Sequence, residues 1–327
     1  MPRAMRDGVS IYYEFDERDE RDTRDPADGD GGEGGNESHT SETPVVFLQD
    51  VGYGRWLWRW QREAVAREFG APVIAPDMRG TGRSDAGLPP LVPRLPGRIR
   101  SPLLRKPAGY SVDGLAADLE AVLDDAGVRS AHLVGIGLGG MVAQQYAIRH
   151  DRAASLTLCA TSHGGPDAMA IPADVPGRLL ETPSGANERE TLRHRMRPVF
   201  GESFTNRNPH LMDRIIEWRR EQDATEPAIE AQLGATLAFD ASAELDRIRV
   251  PTLVIHGTDD AVVPSSNARL LEEAIPDARL ELIEGGSHLA CIEQADAVSD
   301  ALVSFLAEQD TGTRSRSRTR ARVSTNT

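Results

Sequence analysis

The chain contains little cysteine, almost no lysine and no long apolar run. Its 327 residues include two cysteines, Cys159 and Cys291, which are too few and too far apart for a disulfide framework or a metal cluster. No apolar run approaches the length of a membrane span. The first residues, MPRAMRDGVSIYYEF, lack the apolar region typical of a secretion signal. These absences predict a cytoplasmic protein, and we expect neither a metal nor a cofactor.

Acidic residues outnumber basic ones in this chain. The chain has 51 acidic and 37 basic residues, a formal net charge of −14, and Lys106 is its only lysine. An acidic surface with so little lysine suits a protein that stays in solution at high salt, where screening weakens self-repulsion. We therefore interpret the composition as halophilic, with a GC-rich genome that favours arginine codons as the alternative. The negative sign argues against general nucleic-acid binding.

Three segments have no apolar periodicity. Residues 17–43 hold ten acids and three arginines, which predicts a disordered acidic loop after an N-terminal strand in residues 1–16. Residues 87–109 carry six prolines and five positive charges without an acid. This basic segment is expected to lie near the pocket rim, where it would either favour anionic substrates or pair with the acidic loop. Residues 311–327 contain five arginines and no acid, which predicts a disordered tail.

Strands and helices alternate along the rest of the chain. This alternation predicts a mainly parallel sheet covered on both faces, with residues 44–160 and 249–309 forming the core. Residues 161–248 interrupt the alternation with helical periodicity, which predicts a cap over the edge where such sheets bind ligands. The predicted strands are 44–49, 71–76, 131–135, 154–160, 251–257 and 278–284, and the predicted helices are 55–69, 111–127, 138–150, 265–275 and 291–308.

Four motifs stand at the ends of predicted strands, in a fixed order. They are PDMRGTGRSD (76–85), GIGLGGMVAQQYA (135–147), VIHGTDDAVVP (254–264) and EGGSHLACIEQ (284–294). Together they resemble the α/β-hydrolase superfamily from about residue 44 to the last helix, and the last two are most similar to small capped esterases and enol-lactonases. The resemblance implies an α/β-hydrolase fold: a mostly parallel central sheet flanked by helices, with a helical cap inserted after the sixth strand.

The resemblance also assigns two catalytic residues, with His288 as the general base and Asp260 as its orienting partner. Asp259 is a weaker candidate for the acid. The chemistry agrees with the first assignment, because imidazole titrates near neutrality and a buried carboxylate stabilises the imidazolium when it forms.

The chain departs from the family at two places. The family's corner G-x-S-x-G carries a serine nucleophile, but here the central residue is Gly137, so the triad is degenerate. The loop FLQDVGYG then places Gln49 and Asp50 where the family usually has His-Gly. The backbone N–H groups of Val51 and Leu138 remain the expected oxyanion donors. An Asp50 carboxylate beside them would oppose an oxyanion unless it points away.

Three functions remain open. The first is a hydrolase that acts on a small ester- or lactone-like molecule, in which His288 and Asp260 work without a covalent intermediate. The second is a catalytically silent ligand-binding protein of the same fold, and the third is a structural or partner-interaction protein. The small-molecule pocket should be apolar, and its candidate lining or supporting residues are Trp56, Trp58 and Trp60. We also expect Gly137→Ser alone to create activity on simple esters.

Overall fold

An eight-stranded sheet forms the centre of the molecule. The structure is a computed structural model that describes residues 2–16, 43–104 and 110–324. The strand order is β1-β2-β4-β3-β5-β6-β7-β8, in which β1 and β2 pair antiparallel, β2 pairs antiparallel with β4, and all other pairs are parallel. The strands are β1 (Arg3–Arg6), β2 (Val9–Asp16), β3 (Val45–Leu48), β4 (Val73–Pro76), β5 (Ala131–Ile136), β6 (Ala153–Cys159), β7 (Thr252–Gly257) and β8 (Ala278–Ile283).

Helices cover both faces of this sheet, so the prediction of a mainly parallel sheet between helical layers is confirmed. The alternation of side chains along β3 shows why two cores form: Val46 and Leu48 pack into one, Val45 and Phe47 into the other. The helices are α1 (Arg59–Ala64), α2 (Gly97–Leu104), α3 (Val112–Asp125), α4 (Leu138–Arg149), α5 (Val175–Leu180), α6 (Glu188–Met196), α7 (Glu202–Arg207), α8 (Pro209–Gln222), α9 (Glu226–Ala238), α10 (Ser266–Ala274), α11 (Ala290–Glu293) and α12 (Ala295–Ser324).

The N-terminal segment forms a hairpin instead of the single strand expected over residues 1–16. Its two strands, β1 and β2, meet at Asp7 and Gly8, whose φ angles are 51° and 76°. An Asp-Gly pair with two positive φ angles suits the tight turns that match the twist of a hairpin. The sequence therefore contains the turn signal, which an interpretation as one strand overlooks.

Five helices, α5 to α9, lie between β6 and β7 and form the cap. Helix α9 ties the cap to the sheet through Gln232, whose Oε1 accepts from the Gly52 N–H at 2.7 Å. The Gln232 amide donates to the Arg79 carbonyl at 3.0 Å and to Thr81 Oγ1 at 3.1 Å. One buried amide thus links the cap to the loops that follow β3 and β4, and so fixes the loop that carries Asp50.

The three segments without apolar periodicity have different outcomes. The predicted acidic loop falls on residues 17–42, which lie outside the described residues, as do residues 105–109 of the basic segment. The described part of the basic segment packs against the cap, because Arg100 of α2 bonds Glu230 of α9 at 2.8 Å. Helix α12 continues through Ser324 and so includes residues 311–324 of the predicted disordered tail, because each residue added to an existing helix gains a hydrogen bond at low cost. Residues 325–327 lie outside the described residues.

Every helix in the described parts of the chain is too short or too polar to cross a membrane.

Candidate active site

Asp260 is fixed on the turn that follows β7. Its Oδ1 accepts from the backbone N–H groups of Val262 and Val263 at 2.8 and 2.9 Å. Its Oδ2 lies 2.9 Å from His288 Nδ1 and 3.1 Å from His256 Nε2, and the side chain is fully buried. Burial acts to raise the pKa of Asp260, but the charges and hydrogen bonds of His288 and His256 outweigh it and hold the pKa well below its usual range. Asp260 is therefore a carboxylate.

Asp259, the alternative acid, is exposed and makes its side-chain contact with Thr258 Oγ1 at 3.4 Å. The turn after β7 thus directs Asp260 and not Asp259 toward His288.

His288 follows β8 and lies between two carboxylates. Nδ1 lies 2.9 Å from Asp260 Oδ2, and Nε2 lies 3.0 Å from Asp50 Oδ2. Only a ring that is protonated on both nitrogens can donate to both partners. Burial acts to lower the pKa of His288, but Asp260 and Asp50 together outweigh it and raise the pKa to about 10. The two flanking acceptors and the raised pKa both favour the imidazolium form of the ring.

Gly137 forms the sharp turn between β5 and α4. Its backbone has φ 51° and ψ −116°, a combination that L side chains adopt only under strain and that glycine adopts freely. The Gly137 N–H donates to the Cys159 carbonyl at 3.1 Å, and Thr161 Oγ1 donates to the Gly137 carbonyl at 2.7 Å. The first turn of α4 packs directly against the end of β3. A Cβ on Gly139 would lie 2.3 Å from the Leu48 carbonyl oxygen, so glycine is needed there.

Asp50 lies on the turn that follows β3 and faces this corner. The turn closes with a hydrogen bond from the Tyr53 N–H to the Asp50 carbonyl at 3.1 Å, and Gly52 supplies the positive φ of 78° that it needs. The Asp50 Oδ1 atom accepts from the Leu138 N–H at 2.9 Å, while Oδ2 faces His288. In this structure the predicted oxyanion donor Leu138 is therefore bonded to a carboxylate of the protein.

The Asp50 carboxylate fills the volume that a side chain at position 137 would take. A Cβ placed on Gly137 would lie 2.0 Å from Asp50 Oδ1 and 2.3 Å from its carboxyl carbon, far inside van der Waals contact. The absent side chain and the inserted carboxylate are thus two parts of one arrangement. Sequence reasoning placed Asp50 near the site but did not foresee this contact.

A cavity of about 520 Å³ opens over this cluster, between the sheet edge and the cap. The Asp50 side chain is 13% exposed and lines the cavity together with Val51, Gly137, Leu138 and His288, whereas the fully buried Asp260 does not. The rest of the lining is largely apolar, as is common for small-molecule sites. It includes Met141, Ile171, Val175, Leu179, Leu192, Val199, Ile229 and Leu233.

The predicted pocket tryptophans, Trp56, Trp58 and Trp60, do not line this cavity in the described part of the chain. Trp58 is buried in the core and donates to the Leu48 carbonyl at 3.0 Å, and Trp60 packs against the same core. Trp56 supports the cavity indirectly, because its Nε1 donates at 2.9 Å to Asp223, which lines the wall.

Four other side chains near these loops carry an oxygen or sulfur atom that could in principle attack a substrate, namely Cys159, Cys291, Ser162 and Ser287. Burial raises the pKa of Cys159 to about 12 and that of Cys291 well above its ordinary value, so both are thiols. Ser287 Oγ donates to the Val199 carbonyl at 2.9 Å. Ser162 Oγ accepts from the Gly164 N–H at 3.3 Å. Neither serine bonds His288 in these contacts, and Asp50 remains the cavity-facing group bonded to His288 among the described residues.

His256 is a further residue that sequence reasoning missed. It lies on β7, four residues before Asp260, and its Nε2 also lies 2.9 Å from the Val263 carbonyl. The signal in the sequence is the histidine within VIHGTDD, but a strand position alone does not reveal that its ring turns back onto Asp260.

Comparisons with known proteins agree with this architecture. The family model described as alpha/beta hydrolase fold matches residues 43–295. A protein of Azorhizobium caulinodans named "Putative carbamate hydrolase RutD" is 29% identical over 276 residues, which cover 83% of this chain and 94% of that protein. A protein of the same name from Variovorax paradoxus is 29% identical over 265 residues, 80% of this chain and 91% of its own length.

Solved structures show the same fold. The enol-lactonase from Burkholderia xenovorans LB400 superposes with a TM-score of 0.70 at 24% identity, covering 94% of this chain and all of that one. A hydrolase from Pseudomonas aeruginosa PA01 has a TM-score of 0.68 at 26% identity, with coverage of 93% and 96%. Since the family model spans most of the chain, the protein belongs to the α/β-hydrolase fold family.

Proposed function

We propose that the protein is a hydrolase of a small ester- or lactone-like molecule, in which Asp50, His288 and Asp260 replace a serine-containing triad. The observation that carries the proposal is the row carboxylate–imidazolium–carboxylate on the cavity floor, beside a glycine that has no side chain of its own. Buried charges that are paired in this way and reach a cavity are typical of catalytic groups.

The proposed roles follow from the contacts of Asp50 and His288 and from the raised pKa of His288. Asp50 is a cavity-facing carboxylate, so it accepts a proton from a water molecule as that water attacks the substrate's carbonyl carbon. His288 holds the proton that the leaving oxygen needs, and it donates that proton as the carbon–oxygen bond breaks. This assignment differs from the expectation that His288 is the base, because a ring with a pKa of about 10 is already protonated at neutral pH.

The direct contact between Asp50 and His288 then restores the resting state. After product formation Asp50 carries a proton and the imidazole of His288 is neutral. Asp50 Oδ2 and His288 Nε2 lie 3.0 Å apart. Transfer of the proton from Asp50 to His288 Nε2 regenerates the starting charges without an added reagent. Asp260 keeps the ring oriented throughout, since its two backbone donors and His256 hold it in place.

The backbone N–H of Val51 is the proposed oxyanion donor. Val51 lines the cavity beside Asp50, and a backbone donor acts independently of its side chain. Leu138 donates to Asp50 in the resting structure, so in this proposal it orients the base. The relatives named carbamate hydrolases support a substrate in which the cleaved bond joins a carbonyl carbon to a heteroatom leaving group.

The experiment is a turnover screen with p-nitrophenyl acyl esters, γ-lactones and alkyl carbamates in molar KCl, comparing the chain with His288→Gln. We expect hydrolysis of at least one class by the parent chain and a loss of about 10²–10⁴-fold in the variant, because general acid–base catalysis contributes that much. Thermal stabilisation by these compounds without turnover would favour the silent binding protein instead.

A further inference from the structure

We propose that Arg195 binds an anionic group of the ligand, so that the molecule this cavity accepts carries a carboxylate in addition to the reacting carbonyl. The identity of the substrate as an anionic ester or lactone rests on the proposed hydrolysis, whereas the anion site itself does not.

Arg195 is held rigidly in the wall of the same cavity that contains Asp50 and His288. It lies on α6, and its Nε donates to the Glu181 carbonyl at 3.0 Å. Its Nη2 donates to the Leu180 carbonyl at 2.8 Å and to Thr182 Oγ1 at 3.0 Å. All three acceptors are neutral, so they orient the guanidinium without compensating its charge.

The other cations of the cavity wall are neutralised by acids. Arg219 lies 2.6 Å from Asp223, and Arg220 lies 2.8 Å from Glu188. Arg195 has no carboxylate within 4.0 Å among the residues that the structure describes, although the chain as a whole has an excess of acids. An arginine that the protein orients but does not pair is therefore available to a charged ligand.

The surroundings make this unpaired charge costly. The side chain is half-buried, and burial lowers the pKa of Arg195, an effect that Arg219 increases and Glu226 opposes. Glu226 is itself bound to Arg100 at 2.7 Å, so its charge is shared. A ligand carboxylate would satisfy the guanidinium with charge-assisted hydrogen bonds, which are about twice as strong as neutral ones.

The rest of the cavity indicates what lies between the two polar ends. Ile171, Val175, Leu179, Ile229 and Leu233 supply apolar walls. A short hydrocarbon chain fits such walls, with one end at Arg195 and the reacting carbonyl at Asp50. A carboxylate placed at Asp50 instead would meet a like charge, which gives the ligand a preferred direction.

Binding can be tested without turnover, with hexanoate as the probe and hexanol as its uncharged counterpart. At fixed ionic strength, calorimetry should show hexanoate binding to the parent chain and about tenfold weaker binding to Arg195→Gln. Arg195→Lys should recover part of the affinity. Arg193→Gln is the matched control, since this arginine also lies on α6 but outside the cavity lining and is paired with Asp213, and it should bind like the parent.

Kinetics then test the substrate class. For mono-p-nitrophenyl glutarate, Arg195→Gln should raise KM about tenfold with little change in kcat, whereas for neutral p-nitrophenyl butanoate it should change neither. Equal effects on both esters, or hexanoate binding that does not depend on Arg195, would overturn the anion site. Arg195-dependent hexanoate binding without hydrolysis of any ester would contradict the proposed hydrolysis and leave the anion site standing.

Discussion

At the scale of single residues, a carboxylate from one loop occupies the space that a side chain on another loop would take. Gly137 has no side chain, and the Asp50 carboxylate occupies the volume where one would lie. The two carboxylate oxygens bond the Leu138 N–H and His288 Nε2. A carboxylate is a poor replacement for a serine oxygen in attack on an ester, because it is a better leaving group than an alkoxide. It is a competent proton acceptor, which is the role proposed here.

The first prediction concerns restoration of the serine, where the structure changes the expectation from sequence. Gly137→Ser alone should give a destabilised chain without a reactive serine, because its Cβ would collide with Asp50 and the backbone conformation costs about 1–2 kcal/mol. Gly137→Ser with Asp50→Gly should create a serine that reacts with a fluorophosphonate probe. Mass spectrometry reports the labelling. Equal labelling of the single and double variants would show that Asp50 moves aside freely.

A second prediction concerns pH and the imidazolium. The pKa of His288 is raised to about 10 from an ordinary value near 6.5, so its protonation stabilises the folded chain fully below about pH 6.5. This contribution should disappear as the pH rises toward 10. The measurement is the difference in melting temperature between the parent and His288→Gln, which removes the effect of other titrating groups. The difference should shrink steadily over this range, and a constant difference would contradict the charge assignment.

At the scale of elements, the site is built by turns that follow parallel strands. Asp50 follows β3, Gly137 follows β5, Asp260 follows β7 and His288 follows β8. All four strands end at the same edge of the sheet, so residues far apart in sequence meet there. The cap then covers this edge and supplies Arg195, which makes one cavity from two layers.

The sequence predicted elements well where burial imposes a simple pattern. Strand β3 was expected at 44–49 and occupies Val45–Leu48, because a strand buried on both faces is a short continuous apolar run. The helix expected at 111–127 spans Val112–Asp125 with Ser111 as its N-cap, whose side chain accepts from the Gly114 N–H at 3.0 Å.

The sequence could not predict contacts that depend on tertiary structure. Asp50 and His288 are 238 residues apart, and no local pattern states which way the Asp50 side chain turns. The same holds for Arg195, whose significance comes from the lack of an ion-pair partner within 4.0 Å among the residues that the structure describes. The sequence motifs therefore identify the loops of the candidate site. The proposed chemistry depends on contacts between side chains of different loops, which only the structure provides.

At the scale of the whole molecule, the dominant feature is the net charge of −14. Part of it lies in the acidic residues 17–42, outside the described structure, and many surface arginines form ion pairs, for example Arg189 with Asp213 at 2.8 Å and Arg279 with Glu308 at 2.6 Å. Exposed pairs of this kind contribute little stability each, so the excess acids should repel one another at low ionic strength.

The prediction at this scale is that the melting temperature rises from low salt to molar KCl, because screening reduces repulsion among the excess carboxylates. Potassium chloride is preferred to sulfate, which stabilises most proteins through exclusion from their surfaces. A flat or falling series would remove the support for a halophilic protein.

The most direct test of the account is the activity of Asp50→Asn on the best ester or lactone substrate. The amide keeps the size of the carboxylate but cannot take a proton from water, so kcat/KM should fall by about 10²–10⁴-fold while cooperative unfolding is retained. Asp259→Asn is the matched control and should keep the parent's activity, because this carboxylate is exposed and its side-chain contact is with Thr258 and not with His288. An Asp50→Asn variant as active as the parent, or more active, would contradict the account and show that Asp50 only fills the place of the missing side chain.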